Sequence, residues 1–383
     1  MISYFHGAKK FLSLQTYSVS FMAKPTTSRR RLFFRATTIF ISFLYLLVCI
    51  VPYFNAGDFW FVAPLGLIFP FLLALLFLFL LIEVFRRSKW ALILLAVILL
   101  GVQQISWTFG VHFFARKFDR IKEDGDLRVM TWNVFRWDEK RKPHEETSSR
   151  NLMMDAVEQQ YADVLCFQEF FQPYSSSYQD NLKKLSDMGY PYSYFYPTSS
   201  IVKGHFKFGM AIVSRYPIID SAKFSFGQTP HSEGLMYADI KTGGKVFRIF
   251  SVHMESFRMG KWGYFDGVEG KGSLSTLSRL KGAYSYRSGQ ADLVRSIIDQ
   301  SPYPVILCGN LGDIPNSYAY NTVKKDLKDA FIQKGAGLGA TFKHLSPTLR
   351  LDYVLVDPSL KVEQFDSPRL PYSDHYPLIV DIR

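Results

Sequence analysis

Hydrophobic patterning divides the chain into two unlike parts. Three long uncharged apolar runs come first, Ala36–Phe54, Phe59–Ile82 and Trp90–Phe109. Each is close to the roughly 20 residues that cross a bilayer. Three in succession, with charges only between them, predict three transmembrane helices rather than buried core helices. Pro64 and Pro70 predict a kink in the second run or a later start for it. From about Asp126 the pattern changes to short β-rich runs separated by turn residues. Strands are expected at Leu127–Val134, Asp163–Gln168, Phe208–Ser214, Gly234–Ile240 and Lys245–His253, the last two joined by a Gly243-Gly244 hairpin turn. Further strands are expected at Pro304–Cys308, Leu351–Val356 and Leu378–Ile382. Helices are expected at Ser149–Tyr161, capped by Ser148 or Ser149, and at Tyr284–Gln300. Many strands with few helices over this length predict one α+β domain of packed sheets.

Charge follows the same division. The chain carries 45 Lys/Arg and 33 Asp/Glu, a formal +12. Residues 1–118 hold 12 of the basic residues and two acids, Asp58 and Glu83. The rest therefore has 45 − 12 = 33 basic and 33 − 2 = 31 acidic residues, a net of only +2. The basic excess thus reports membrane-flanking sequence and not the stripe of a nucleic-acid binder. Arg29–Arg31 and the loop Arg86-Arg87-Ser88-Lys89 are basic, whereas the loop Tyr53–Phe59 has no Lys or Arg. Positive charge marks the cytoplasmic side. Expected in order are a basic cytoplasmic N-terminus (1–35), three transmembrane helices (36–110), a linker (111–125) and an extracytoplasmic domain (126–383). Arg116, Lys117, Arg120 and Lys122 argue weakly against that orientation. Met22, followed by a basic stretch, is a plausible natural start. Cys49, Cys166 and Cys308 lie in apolar runs and read as reduced core residues. The Gly-, Ser- and Lys-rich stretch Gly260–Gly282 reads either as a site-bordering loop or as a surface insertion.

Candidate chemistry collects at strand ends, where a rigid sheet can aim side chains at one point. Asn133 ends Met130-Thr131-Trp132-Asn133-Val134, and Glu169 ends Val164-Leu165-Cys166-Phe167-Gln168-Glu169. His253 ends Phe250-Ser251-Val252-His253. Asp352 begins the run after Arg350, and Tyr372-Ser373-Asp374-His375 precedes the last strand. Phe208–Ile218, with Ser214-Arg215-Tyr216-Pro217, and Arg287-Ser288-Gly289-Gln290-Ala291 complete the series.

Their joint order resembles the endonuclease/exonuclease/phosphatase superfamily of DNase I-like proteins, over about Leu127 to Arg383. The resemblance implies a four-layer α/β/β/α sandwich. It implies that Glu169 holds Mg²⁺ (or Mn²⁺), with Asn133 and Asp374 nearby, since hard oxygens suit that ion. It further implies that His253 touches the phosphoryl oxygens and that Asp352 fixes the tautomer of a catalytic His375. Arg215 and the Gly312 position would contact substrate. Where the family carries Gly-Asp-Phe-Asn, however, this chain reads Gly309-Asn310-Leu311-Gly312, followed by Asp313-Ile314-Pro315. The water-activating Asp is Asn310 and the phosphate-steadying Asn is Gly312. Loss of a general base commonly costs on the order of 10²–10⁴ in rate. Two readings stay open. One is a membrane-anchored, Mg²⁺-dependent phosphoester hydrolase acting on a lipid headgroup, nucleotide or nucleic acid, its activity weakened by Asn310 and Gly312. The other is a non-catalytic binding protein that retains the fold. No protein partner is implied.

Overall fold

The computed structural model describes residues 26–114, 117–138, 148–175, 178–227, 234–256, 276–344 and 346–383. Met22 and residues 260–275 of the Gly260–Gly282 stretch lie outside them, and the rest of that stretch opens the helix Thr276–Ile298. Helix α1 (Thr26–Cys49) is followed by a 3₁₀ stretch at Ala63–Ile68 and by α2 (Phe69–Phe85), with Pro70 in the first turn of α2. Proline is tolerated there because its missing N–H would have had no helical partner, so the two prolines delay the helix instead of kinking it. Helices α3 (Trp90–Leu100) and α4 (Val102–Thr108) form one apolar run bent by 60° at Gly101. A Cβ at Gly101 would lie 2.1 Å from the Tyr45 hydroxyl, so only glycine lets α1 approach the bend. Two helices, Arg29–Tyr53 and Ala63–Phe85, are long and apolar enough to cross a membrane, and the bent pair would be a third.

A two-residue strand β1 (Gly110–Val111) leaves the helices. The domain then folds as β2 (Leu127–Asn133), α5 (Ser149–Glu158), β3 (Val164–Pro173), α6 (Asn181–Asp187), β4 (Tyr192–Ile201), β5 (Phe206–Ser214), β6 (Ile218–Ser225), β7 (Gly234–Thr242) and β8 (Lys245–His253). It continues as α7 (Thr276–Ile298), β9 (Val305–Asn310), α8 (Tyr318–Lys324), β10 (Lys328–Asp329), α9 (Ala330–Lys334), β11 (Ala336–Gly337), β12 (Asp352–Val356), β13 (Val362–Asp366) and β14 (Leu378–Ile382). Two six-stranded sheets result, ordered β13-β14-β2-β3-β5-β4 and β10-β12-β9-β8-β7-β6. Their inner faces pack Val129, Cys166, Ile212, Met236, Ile249 and Cys308 into one apolar layer. α5 and α6 cover the outer face of the first sheet, and α7 and α8 that of the second. This is the four-layer α/β/β/α sandwich.

Topology decides where chemistry can collect. β2 and β3 run parallel, with Asn133 opposite Gln168. β8 and β9 run parallel, with His253 opposite Asn310. The antiparallel β12 begins where these end, with Asp352 opposite Asn310. β14 likewise begins beside the end of β2, with Leu378 opposite Thr131 and His375 just before it. All these strand ends therefore lie at one edge of the sandwich. Beneath them Gln168 Nε2 donates to Ser251 Oγ at 3.0 Å, tying one sheet to the other.

The helices are docked on the domain. Asn316 Nδ2 donates to the Val48 carbonyl at 3.0 Å, and Asn321 Nδ2 to the Pro52 carbonyl at 3.2 Å. Trp107 packs edge-on to Tyr320 with ring centroids 6.1 Å apart, and its carbonyl accepts from the buried Arg350. β1 pairs with β11. Within 111–125, expected as a linker, the carbonyls of Asp119 and Arg120 accept from Arg128, whose guanidinium also forms a buried bidentate pair with Asp381 at 2.6 and 2.7 Å.

Candidate active site

The first sheet brings an acid into position through a local irregularity. β3 carries a one-residue bulge between Phe167 and Phe170. Glu169 sits in it with φ +50°, a left-handed conformation that non-glycine residues rarely adopt. Such bulges re-aim a side chain. Asn133 Nδ2 donates to Glu169 Oε1 at 3.1 Å, while its Oδ1 accepts from the Phe135 amide at 3.0 Å. Asn133 thus steadies Glu169, with one lone pair of its oxygen already in use. His253 reaches across from the second sheet, its Nε2 4.0 Å from Glu169 Oε1. Burial pushes the Glu169 pKa up, but His253, Arg136, Asn133 and His375 outweigh it and hold the group below its ordinary value, hence ionised.

The second cluster is the imidazole pair. His375 Nδ1 and Asp352 Oδ2 are 2.6 Å apart, both nearly inaccessible to solvent. Phe342 packs on the His375 ring with centroids 4.9 Å apart, and Trp132 Nε1 donates to the His375 carbonyl at 3.0 Å. Burial depresses the His375 pKa, but Asp352, Asp374 and Glu169 overcome it and push it up to about 9. With no cation on Glu169 and Asp374, the ring is therefore held as an imidazolium at neutral pH. Asp352 Oδ1 is buried without a hydrogen-bond partner. Asp374 is raised above its ordinary value by burial and then by Glu169, against His375 and Ser373, which lower it. An ionised carboxylate that opposes the ionisation of a second one, beside an amide, is suited to a hard divalent cation. Among the described residues no group of three or more His, Cys, Asp or Glu could hold a metal. The candidate ligands here are two acids and an amide.

Asn310 lies between His253 and Asp352 in register. Its Oδ1 accepts from the Gly312 amide at 2.6 Å, so the side chain offers the site mainly N–H. Gly312 has φ +64°, and a Cβ there would lie 2.7 Å from the Glu255 carbonyl oxygen. The backbone has closed over the space a side chain would need. Asp313 faces away, its Oδ2 3.3 Å from Arg287 Nε and its Oδ1 accepting from the Ile314 amide at 3.0 Å. It belongs to the α7 junction.

Asn133, Glu169, His253, Asn310, Gly312, Asp352, Asp374 and His375 are thus brought to one edge. Arg215 is not, and its expected substrate contact is corrected. It follows the end of β5, which runs antiparallel to β3 and ends where β3 begins, with Ser214 opposite Val164. There Arg215 Nε donates to the Ala162 carbonyl at 2.9 Å and the guanidinium lies 4.6 Å from the Tyr190 ring centroid. Arg136 and Lys343 were not singled out in the sequence. Arg136 acts electrostatically on Glu169, and Lys343 Nζ donates to the Ser373 carbonyl. Neither sits in an apolar–polar pattern that could mark it, because both follow irregular turns.

Two sheets meeting back to back, with amide, acid and imidazole at one edge, define the DNase I-like class. The chain belongs to the Endonuclease/Exonuclease/phosphatase family, whose model matches residues 130–375. Residues 30–108 match a separate domain of unknown function, DUF8431. No curated protein matches the chain. Among solved structures, an endonuclease/exonuclease/phosphatase from Beutenbergia cavernae is 18% identical with TM-score 0.49, covering 67% of this chain and 71% of its own. The human Nocturnin catalytic domain with bound sulfate is 19% identical with TM-score 0.49, covering 69% of this chain and 96% of its own.

Proposed function

We propose that the protein is a membrane-anchored, divalent-metal-dependent phosphoester hydrolase whose domain faces away from the cytoplasm. The observation that carries this reading is the buried Asp352–His375 pair set beside Glu169, Asp374 and His253 at one sheet edge. Glu169 and Asp374 would hold Mg²⁺ or Mn²⁺, with Asn133 steadying Glu169. When bound, the ion supplies neutralisation of charge on the phosphate and the leaving oxygen. His375, as an imidazolium held by Asp352, donates to a phosphoryl oxygen, and His253 donates to another. Asn310 orients the attacking water by hydrogen bonding without accepting its proton. Gly312 offers no side chain to the phosphate. Turnover is accordingly slow.

A second reading, a non-catalytic phosphate-binding protein, is favoured by one observation: the Asn310 oxygen is already engaged by the Gly312 amide. Hydrolysis of bis(4-nitrophenyl) phosphate by the full chain, with and without Mg²⁺, tests the two. Turnover that Glu169→Ala abolishes supports the hydrolase. An inert chain that gains turnover on Asn310→Asp supports the binding protein. For orientation, a reporter active only in the cytoplasm and fused after Arg383 should stay silent.

A further inference from the structure

The strand ends that carry the site are also the ones that rest on the apolar helices. Asn310 ends β9, and six residues later Asn316 donates to the carbonyl of Val48 at the end of α1 at 3.0 Å. Six residues span at most about 21 Å. Asp352 gives an independent bound. Thr348, four residues before it, lines a small cavity with Gly66, Pro70 and Ile314. Four residues span at most about 14 Å. The approach at this junction is close, since a Cβ on Gly66 would lie 2.3 Å from the Asn316 carbonyl oxygen.

The level of the bilayer surface can be read from the same segment. The loop leaving α1 exposes Tyr53, Phe54, Phe59 and Phe61. Tyr and Trp at the ends of spanning helices mark the boundary between acyl chains and headgroups, and Tyr53 ends the first span. Val48 lies at that boundary, so the site stands within about 20 Å of it. On the rim, Lys343 and Arg369 flank Tyr376, the neighbour of His375, at 5.1 and 4.4 Å from its ring centroid. Both also donate to backbone carbonyls, Lys343 to that of Ser373 and Arg369 to that of Ala340, which holds the two positive charges beside His375. A polymer approaching from bulk water would meet residues 119–383, whose net charge is only +2, a weak pull on a long nucleic acid.

We propose that the substrate is a lipid: a phosphoester headgroup in the leaflet on which the domain sits. This rests on the phosphoesterase reading above and adds its substrate class. Confinement to the same surface raises the effective concentration of such an ester to the millimolar range, which offsets a slow chemical step.

The test uses the full chain reconstituted in vesicles of dioleoylphosphatidylcholine, dioleoylphosphatidylglycerol and dioleoylphosphatidylinositol in equal parts. Products are followed by mass spectrometry. Dihexanoyl versions of the same lipids, a single-stranded oligonucleotide and bis(4-nitrophenyl) phosphate serve as soluble substrates at equal total ester. Expected is cleavage of at least one vesicle lipid roughly tenfold or more faster than its dihexanoyl form. Equal or faster cleavage of the soluble lipid, or a higher rate on the oligonucleotide, overturns the proposal. If only bis(4-nitrophenyl) phosphate is cleaved, the lipid proposal falls and the phosphoesterase reading stands. If nothing is cleaved, the phosphoesterase reading falls and takes the proposal with it. Orientation is read without catalysis. A fluorophore on His344→Cys, at the rim, should be quenched by lipids bearing a headgroup nitroxide. One on Ser359→Cys, in the turn at the opposite end of β12, should not. The reverse pattern also overturns the proposal.

Discussion

Asn310→Asp is the substitution on which the reading of this site turns. The two side chains are isosteric, and the in-register neighbours His253 and Asp352 fix where the new carboxylate would sit. One oxygen keeps the bond now made to the Gly312 amide at 2.6 Å. The other replaces the amide N–H₂ and faces the site as a proton acceptor. Restoring a general base is worth about 10²–10⁴ in rate. The new charge stands beside Asp352. At about 5 Å and an effective dielectric of about 20, two carboxylates repel by roughly 3 kcal/mol, which the cationic His375 and a bound divalent ion offset. Mg²⁺-dependent hydrolysis of bis(4-nitrophenyl) phosphate by the full chain should therefore rise at least about a hundredfold. Thermal stability without metal should fall, and added Mg²⁺ should restore it. A variant that folds, gains stability with Mg²⁺ and still hydrolyses no faster than the native chain would refute the assignment of position 310 as the missing base. The companion change Gly312→Asn is not equivalent, because its Cβ must displace the Glu255 carbonyl, 2.7 Å away.

Three further outcomes are expected. Asp352→Asn removes the largest contribution raising His375, so the ring should titrate at or below the ordinary 6.5 instead of about 9 by NMR of labelled histidine. Because the folded pKa is raised, the stability from this pair is full below about 6.5 and is lost as pH rises through about 9, and the variant should lack that alkaline loss in thermal melts. Asp381→Asn strands the buried Arg128 guanidinium and should cost about 3–5 kcal/mol, seen as a lowered denaturation midpoint. Gly101→Ala forces its methyl into the Tyr45 hydroxyl and Cys49 sulfur, at 2.1 and 2.8 Å, and should lower the melting temperature of the detergent-solubilised chain; an unchanged melt would mean that α1 does not seat against the bend.

The core strands were legible because they are apolar on both faces and end abruptly at polar residues, as in Val164–Glu169. The sheet edges were not. β4 reads Tyr-Ser-Tyr-Phe-Tyr-Pro-Thr-Ser-Ser-Ile, and β6 and β13 are half-exposed, so none shows the aliphatic run that marks a central strand. Arg215 shows a different limit. Its strand end looks like the others in sequence, but an antiparallel neighbour ends at the opposite edge, and direction follows only from pairing. Gln168 was hidden in plain view, a polar residue in an apolar run whose partner, Ser251, lies 83 positions away.

The short pairing of Gly110–Val111 with Ala336–Gly337 has a practical consequence. Together with Arg350 donating to the Trp107 carbonyl and Asn316 to Val48, it ties anchor to domain at three points. A soluble fragment beginning at Asp126 would uncover the Tyr320 ring and deprive a buried guanidinium of an acceptor. It would also free the Leu311–Asn316 segment that extends from Asn310. Inactivity of such a fragment would therefore report lost scaffolding and not the chemistry of the native chain.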